Sequence, residues 1–155
     1  MKPRIRSIIL ALAMVSPPAL AAGDPADTAA PAGDPVLERY AEASARKDWA
    51  RAAGIANEGI AQSPRNANYH NLYAYALRSG AKPPMDLVFR HYNEALRLDP
   101  KHRGAHEYLG EAYLMVDNLA KAKEHLAALD RLCTFGCDEF AKLKKAVAAQ
   151  EARRK

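Results

Sequence analysis

From Val36 onward apolar residues recur at i, i+3, i+4 and i+7, the spacing that places them on one face of an amphipathic helix. The pattern then repeats. The segments DWARAAGIANEGIAQSP (48–64), DLVFRHYNEALRLDP (86–100) and NLAKAKEHLAALDRLCT (118–134) each open on a residue able to cap a helix and close on Pro or a small polar residue. The small or β-branched residues Ala52, Val88 and Ala122 recur at spacings of 36 and 34, and the closing residues Pro64, Pro100 and Thr134 recur at the same spacings. Two independent marks sharing one period define a structural repeat.

A second helical segment precedes each of the later two. NANYHNLYAYALRSG puts Leu72, Tyr73 and Ala76 on one face, and GAHEYLGEAYLMVDN does the same with Leu109, Gly110 and Tyr113. Gly80 and Asp117-Asn118 are the breaks, so the unit is helix, turn, helix, of about 34 residues. The second unit carries an extra stretch, AKPPMD, between its helices. These patterns predict an all-α chain with repeats over 36–65, 66–102 and 103–134. One such hairpin cannot bury its apolar stripe alone, so neighbours stack and the last needs a cover. Residues 135–155 supply it, with Phe140, Leu143 and Val147 forming a stripe and Lys142, Lys144, Lys145 and Glu151 lying away from it.

The N-terminus reads as an export signal. MKPRIR is basic, SIILALAMV is apolar but shorter than the roughly 20 residues a spanning helix needs, and Ala19-Leu20-Ala21 is a small-x-small cleavage site. The expectation is a signal peptide over 1–21, cut before Ala22, with no cysteine there for a lipid anchor. A flexible Ala-, Pro-, Gly- and Asp-rich linker follows over 22–35. The mature protein would be periplasmic and soluble, with no membrane insertion.

This reading changes the meaning of the charge. Of 23 basic residues three, Lys2, Arg4 and Arg6, lie in the signal, leaving 20 against 18 acidic ones and a net of +2 instead of +5. No basic stripe with interleaved aromatics remains, which removes the support for nucleic-acid binding.

The stretch YLGEAYLMVDNLAKAKEHL resembles the tetratricopeptide repeat (TPR), with Leu109, Gly110, Tyr113, Ala122 and Leu126 on signature positions. NEALRLDP agrees through Ala95 and Pro100. The first unit, from Asp34 to Pro64, is degenerate: it keeps Ala52 and Pro64, but Tyr40 stands where a small residue is usual. The resemblance implies a right-handed superhelical stack of about three hairpins plus a capping helix. It also implies a concave groove for a protein or peptide partner, lined by the first helix of each hairpin. Carried over by position, the groove residues are Leu37, Ala41 and Ser44, then His70, Ala74, Leu77 and Arg78, then Glu107, Glu111, Leu114 and Met115. Some members clamp a C-terminal carboxylate with Lys, Arg and Asn; here Asn71 and Arg78 come nearest to that pattern.

No G-x-S-x-G, phosphate-binding glycine loop or H-E-x-x-H is present, so no catalytic residue, enzyme activity or cofactor is expected. His102, His106 and Glu107 could approach a zinc or copper site if the helix began early, but offer too few ligands for one, and no metal site is expected. His91 and His125 read as partly exposed packing residues. Cys133 and Cys137 flank Thr134-Phe135-Gly136, where a turn at Gly136 would let the two side chains converge. In an oxidising compartment a structural disulfide is the expected state. Reactive thiols or a metal-handling pair remain the alternative, since Cys137 would sit at a helix N-terminus while Asp138 and Glu139 oppose a thiolate. The chain also resembles short exported bacterial proteins in which two or three such repeats precede a Leu-Cys-x3-Cys-acidic-Glu-aromatic pattern, here Leu132 to Phe140.

Overall fold

The computed structural model describes residues 33–154. The expected signal peptide, and the linker up to residue 32, lie outside the described residues. Among those described, the chain forms seven helices and no strand: α1 (Pro35–Ala45), α2 (Trp49–Gln62), α3 (Ala67–Ser79), α4 (Met85–Leu98), α5 (Arg103–Met115), α6 (Leu119–Leu132) and α7 (Asp138–Ala152). They pack as sequential antiparallel pairs, α1 with α2, α3 with α4 and α5 with α6, and α7 lies against both α5 and α6.

The boundaries follow local chemistry. Asp34 caps α1 by accepting from the N–H groups of Val36 and Leu37, with Pro35 in the first turn, so this helix starts inside the stretch expected to be linker. Asp48, Asn66 and Asn118 cap α2, α3 and α6 in the same way. His102 caps α5, its Nδ1 accepting from the Ala105 N–H. Lys47 and Asp117 hold equivalent places in the tight turns of the first and third hairpins, with φ of 56° and 58°. The second hairpin avoids that conformation with a longer connection through Gly80–Pro84, and the Met85-Asp86 end of the sequence insert belongs to the first turn of α4.

Ala52, Val88 and Ala122, the recurring small residues, are each wholly buried where second helices meet their neighbours. Larger side chains there would hold the helices apart. Three core clusters run along the stack. The first is centred on Tyr40, Ile55 and Tyr69, the second on Val88, Tyr92 and Leu109, and the third on Leu129, Leu143 and Val147. Tyr40, the departure from the repeat pattern in α1, reaches across to donate its hydroxyl to the Leu72 carbonyl of α3 at 3.0 Å. The Tyr69 hydroxyl similarly donates to Asp34 at 2.6 Å, tying the start of α1 to α3.

The stripe read as a cap, Phe140, Leu143 and Val147, faces α5 and α6. Leu143 sits so close to Gly110 that a Cβ on that glycine would lie 2.5 Å from Leu143 Cδ2.

Cys133 and Cys137 are joined as a disulfide across the α6–α7 turn, with Cα atoms 5.6 Å apart. Gly136 takes a φ of 85°, which an L side chain rarely adopts. Cys133 ends α6 and Cys137 precedes α7, so the bond fixes the angle at which the cap leaves the last hairpin. Replacing both cysteines with serine should lower stability by about 2 kcal/mol, the chain-entropy value for so short a loop. The shift in urea midpoint relative to the oxidised parent measures it.

Candidate functional site

The first helices of successive hairpins, α3 and α5, and the cap α7 lie side by side. Their inner faces bound an open pocket of about 390 Å³. Arg78 from α3 forms one wall. Leu114 and Met115 of α5 form the floor with Glu111 beside Arg78, and Ala146, Ala149 and Gln150 of α7, with Arg153 just past its end, close the far side.

Arg78 organises this pocket. Its Nη2 donates to Glu111 Oε2 at 2.8 Å and its Nε to the Tyr92 hydroxyl at 3.3 Å. The guanidinium lies over the rings of Tyr75 and Tyr108, 5.4 and 5.6 Å from their centroids. With the Arg78 side chain only 13% exposed, this pair is held far more firmly than a surface ion pair, and one face of it borders the pocket. Burial, with Glu107 adding to it, pushes the Tyr108 hydroxyl up to about 12, so it stays a neutral hydrogen-bonding group at physiological pH. Met115 is half exposed beside Arg78, and its sulfur lies 4.0 Å from Nη1. Just past α7, Arg153 donates back to Gln150 Oε1, while Arg154 is taken up by Asp117 at 2.7 Å. The pocket therefore joins an apolar floor to two guanidinium groups and one carboxylate, a net positive recess.

Further along the same helix faces the chemistry is buried. Glu107 is 2% exposed, and its carboxyl is pushed up to about 7 by desolvation, with Lys142 of α7 opposing that rise from 3.7 Å. Asn71 is also buried, and its Oδ1 has no hydrogen-bond partner among the described residues.

The structure divides the residues carried over by position. Arg78, Glu111, Leu114 and Met115 come together in the pocket. Ala74 does not line a surface: it is wholly buried against the cluster of Val88, Tyr92, Leu109 and Ala112, because close packing of α3 on α4 and α5 requires a small residue there. Leu77 packs against two core clusters, and His70 turns into the α3/α4 interface to meet His91. Leu37 and Ala41 are exposed on α1, outside this pocket, and Ser44 is half-buried on the same helix.

The cap's contribution was missed in the sequence. Ala146 and Ala149 are spaced as neighbours on one helix face, and their small size beside the Leu143/Val147 stripe is the available signal.

His102 and His106 are directed to different partners. The His102 Nε2 bonds Asn68 Oδ1 at 2.9 Å, and His106 bonds His125 and the Pro100 carbonyl. No group of three or more potential metal ligands occurs among the described residues. The two cysteine sulfurs are bonded to each other, so in this form neither is a thiolate ligand. No helix among the described residues is long and apolar enough to cross a membrane.

No family model matches the chain, and no curated protein matches it. Solved structures do. The TPR2B domain of yeast Sti1, determined as a pHsp70 complex, superposes with a TM-score of 0.67 at 20% identity over 77% of this chain and 95% of that one. The first TPR of Spaghetti (RPAP3), bound to the HSP90 peptide SRMEEVD, gives 0.60 at 18% over 73% and 93%. The Yersinia enterocolitica type III secretion chaperone SycD, in complex with a peptide of the translocator YopD, gives 0.63 at 14% over 77% and 92%. At these identities the likeness is one of fold, and it establishes the chain as an all-α, TPR-like stack of sequential helix pairs.

Proposed function

We propose that this chain is an exported, non-enzymatic interaction module that takes a protein or peptide partner into the recess between α3, α5 and α7. The observation that carries the reading is the Arg78–Glu111 pair, held rigid against Tyr75, Tyr92 and Tyr108 beside an uncovered floor of Leu114 and Met115. A preorganised ion pair beside exposed apolar surface suits an extended segment that offers an aliphatic side chain to the floor and a carboxylate to Arg153. Such a segment gains contact without paying to order the site. Support comes from the Sti1, RPAP3 and SycD folds, whose structures were determined with peptide or protein partners. Export rests on the N-terminal pattern of basic, apolar and small residues.

Selection from a random peptide library on the immobilised protein tests the groove. The expected result is enrichment of sequences pairing an aliphatic residue with an acidic one, with binding reduced at least tenfold by Met115→Glu or Arg153→Glu. Enrichment that survives both substitutions would place the binding surface elsewhere, and no enrichment over bare matrix would count against a peptide groove.

A further inference from the structure

Four of the five histidines form two like constellations. In the second hairpin His70 Nδ1 lies 3.0 Å from His91 Nδ1, and His70 Nε2 lies 3.0 Å from the Pro64 carbonyl oxygen. In the third, His106 Nδ1 lies 3.0 Å from His125 Nδ1, and His106 Nε2 lies 3.1 Å from the Pro100 carbonyl. Each joins the first helix of a hairpin, its second helix and the closing proline of the preceding repeat.

The carbonyl fixes the protons. It can only accept, so Nε2 of His70 and of His106 carries hydrogen, and in the neutral ring Nδ1 is then the acceptor. His91 and His125 must donate from Nδ1, which leaves their Nε2 atoms unprotonated. One added proton fits: with hydrogen on Nε2 of both rings and one hydrogen between the facing Nδ1 atoms, every hydrogen bond is intact and the charge is shared across the pair. A second would put hydrogen on both facing Nδ1 atoms, and two N–H groups cannot point at each other across 3.0 Å. We infer that each pair is a proton-limited latch that holds one proton and opens on the second, so that acid loosens the α3/α4 and α5/α6 hairpins together.

The surroundings do not offset that limit. Around the first pair stand Tyr73 of α3, edge-on to His91 at 4.6 Å, and Arg90 and Glu94 of α4, with Glu94 already bound to Arg97. Around the second stand Tyr113 of α5, stacked on His125 at 5.6 Å, His102 in the preceding turn, and Lys121 and Glu124 of α6, bound to each other at 2.7 Å. Burial first, and then the partner imidazole, hold His91 below the usual histidine range and His125 down at about 4. In the unfolded chain both members of a pair titrate near 6.5, so below that pH the unfolded state binds one more proton per pair. Stability from the latches is full above about pH 6.5 and falls as the solution is acidified. The inference is independent of what occupies the groove.

Denaturant unfolding between about pH 7 and about pH 5, in a full chain carrying Glu107→Gln so that the opposing buried carboxyl is removed, reads it directly. The unfolding constant should rise by a factor of about thirty per pair over that interval. In His91→Asn/His125→Asn, whose side-chain amides can donate to the same acceptors but cannot take a proton, most of the rise should vanish. A constant that stays level in the Glu107→Gln chain, or one that rises as steeply once both histidines are also replaced, would overturn the latch. If the double variant fails to fold, imidazole NMR of the wild type decides. One ring per pair should stay neutral at about pH 5 while the protein remains folded, and free titration of all four rings in the folded state would overturn the inference.

Discussion

In a chain already carrying Leu143→Ala, adding Gly110→Ala should stabilise the protein, whereas the same glycine substitution in the wild type should destabilise it. Leu143 is wholly buried and is the main side chain with which α7 grips α5, so truncating it should cost about 3 kcal/mol and lower Tm by roughly 10 °C. Gly110 lies directly beneath it. A Cβ there would meet Leu143 Cδ2 at 2.5 Å and Cδ1 at 2.8 Å, so the wholly buried leucine would have to shift within its packing. Overpacking of that kind costs about 1–3 kcal/mol, more than the helix propensity of about 1 kcal/mol that alanine gains over glycine. With alanine at 143 the clash is gone, and the added methyl fills part of the hole. Thermal unfolding of the four proteins in the cycle should therefore give a coupling of about 2 kcal/mol, and additive effects would mean that α7 is not docked through this contact.

Glu107→Gln should stabilise the protein at about pH 8 by about 3 kcal/mol and leave it nearly unchanged near pH 4.5. The carboxyl is 2% exposed and its nearest cation, Lys142 Nζ, stands off at 3.7 Å, so ionisation is poorly compensated. Desolvation raises the folded value from 4.5 to about 7. For a group raised on folding, the favourable contribution is complete below the unfolded value and is lost as pH climbs through the folded one. Glutamine keeps the neutral form at every pH. Guanidinium unfolding at the two pH values measures the difference, and a loss of stability at about pH 8 would show that Lys142 compensates the ionised carboxylate. The sign is opposite to that of the histidine pairs, so the parent's pH profile is a balance of two buried groups pulling in opposite directions.

How much of this was legible differs by element. The period of 36 and 34 located α2, α4 and α6 through Ala52, Val88 and Ala122, because close helix packing leaves room only for small or β-branched residues at those points. The stripe of Phe140, Leu143 and Val147 marked the cap for a different reason: apolar residues at helical spacing need a neighbour to bury them. Of the residues carried over by position to a groove, Arg78, Glu111, Leu114 and Met115 line the open pocket, while Ala74 is wholly buried and His70 faces His91 between helices. Position along a helix states which face a residue is on. It does not state whether that face, at that height, meets solvent or the adjoining helix. The histidine pairs were invisible because their members are 21 and 19 residues apart, and each half alone reads as a packing residue.

The sequence alone determined the class of fold, the number of hairpins, the caps at Asp48 and Asn118, though not at Asp86, which lies in the first turn of α4 behind Pro84, and the turn that brings Cys133 to Cys137, since these depend on local periodicity, capping chemistry and chain reversal. Only the tertiary structure decided that α7 supplies one wall of the pocket, that Arg78 is clamped by Glu111 and Tyr92, that Glu107 is buried as it is, and that four histidines become two facing pairs. The physical reason is that burial and pairing across helices are properties of how successive hairpins stack, and the stacking angle and height are set by the side chains of both helices at once.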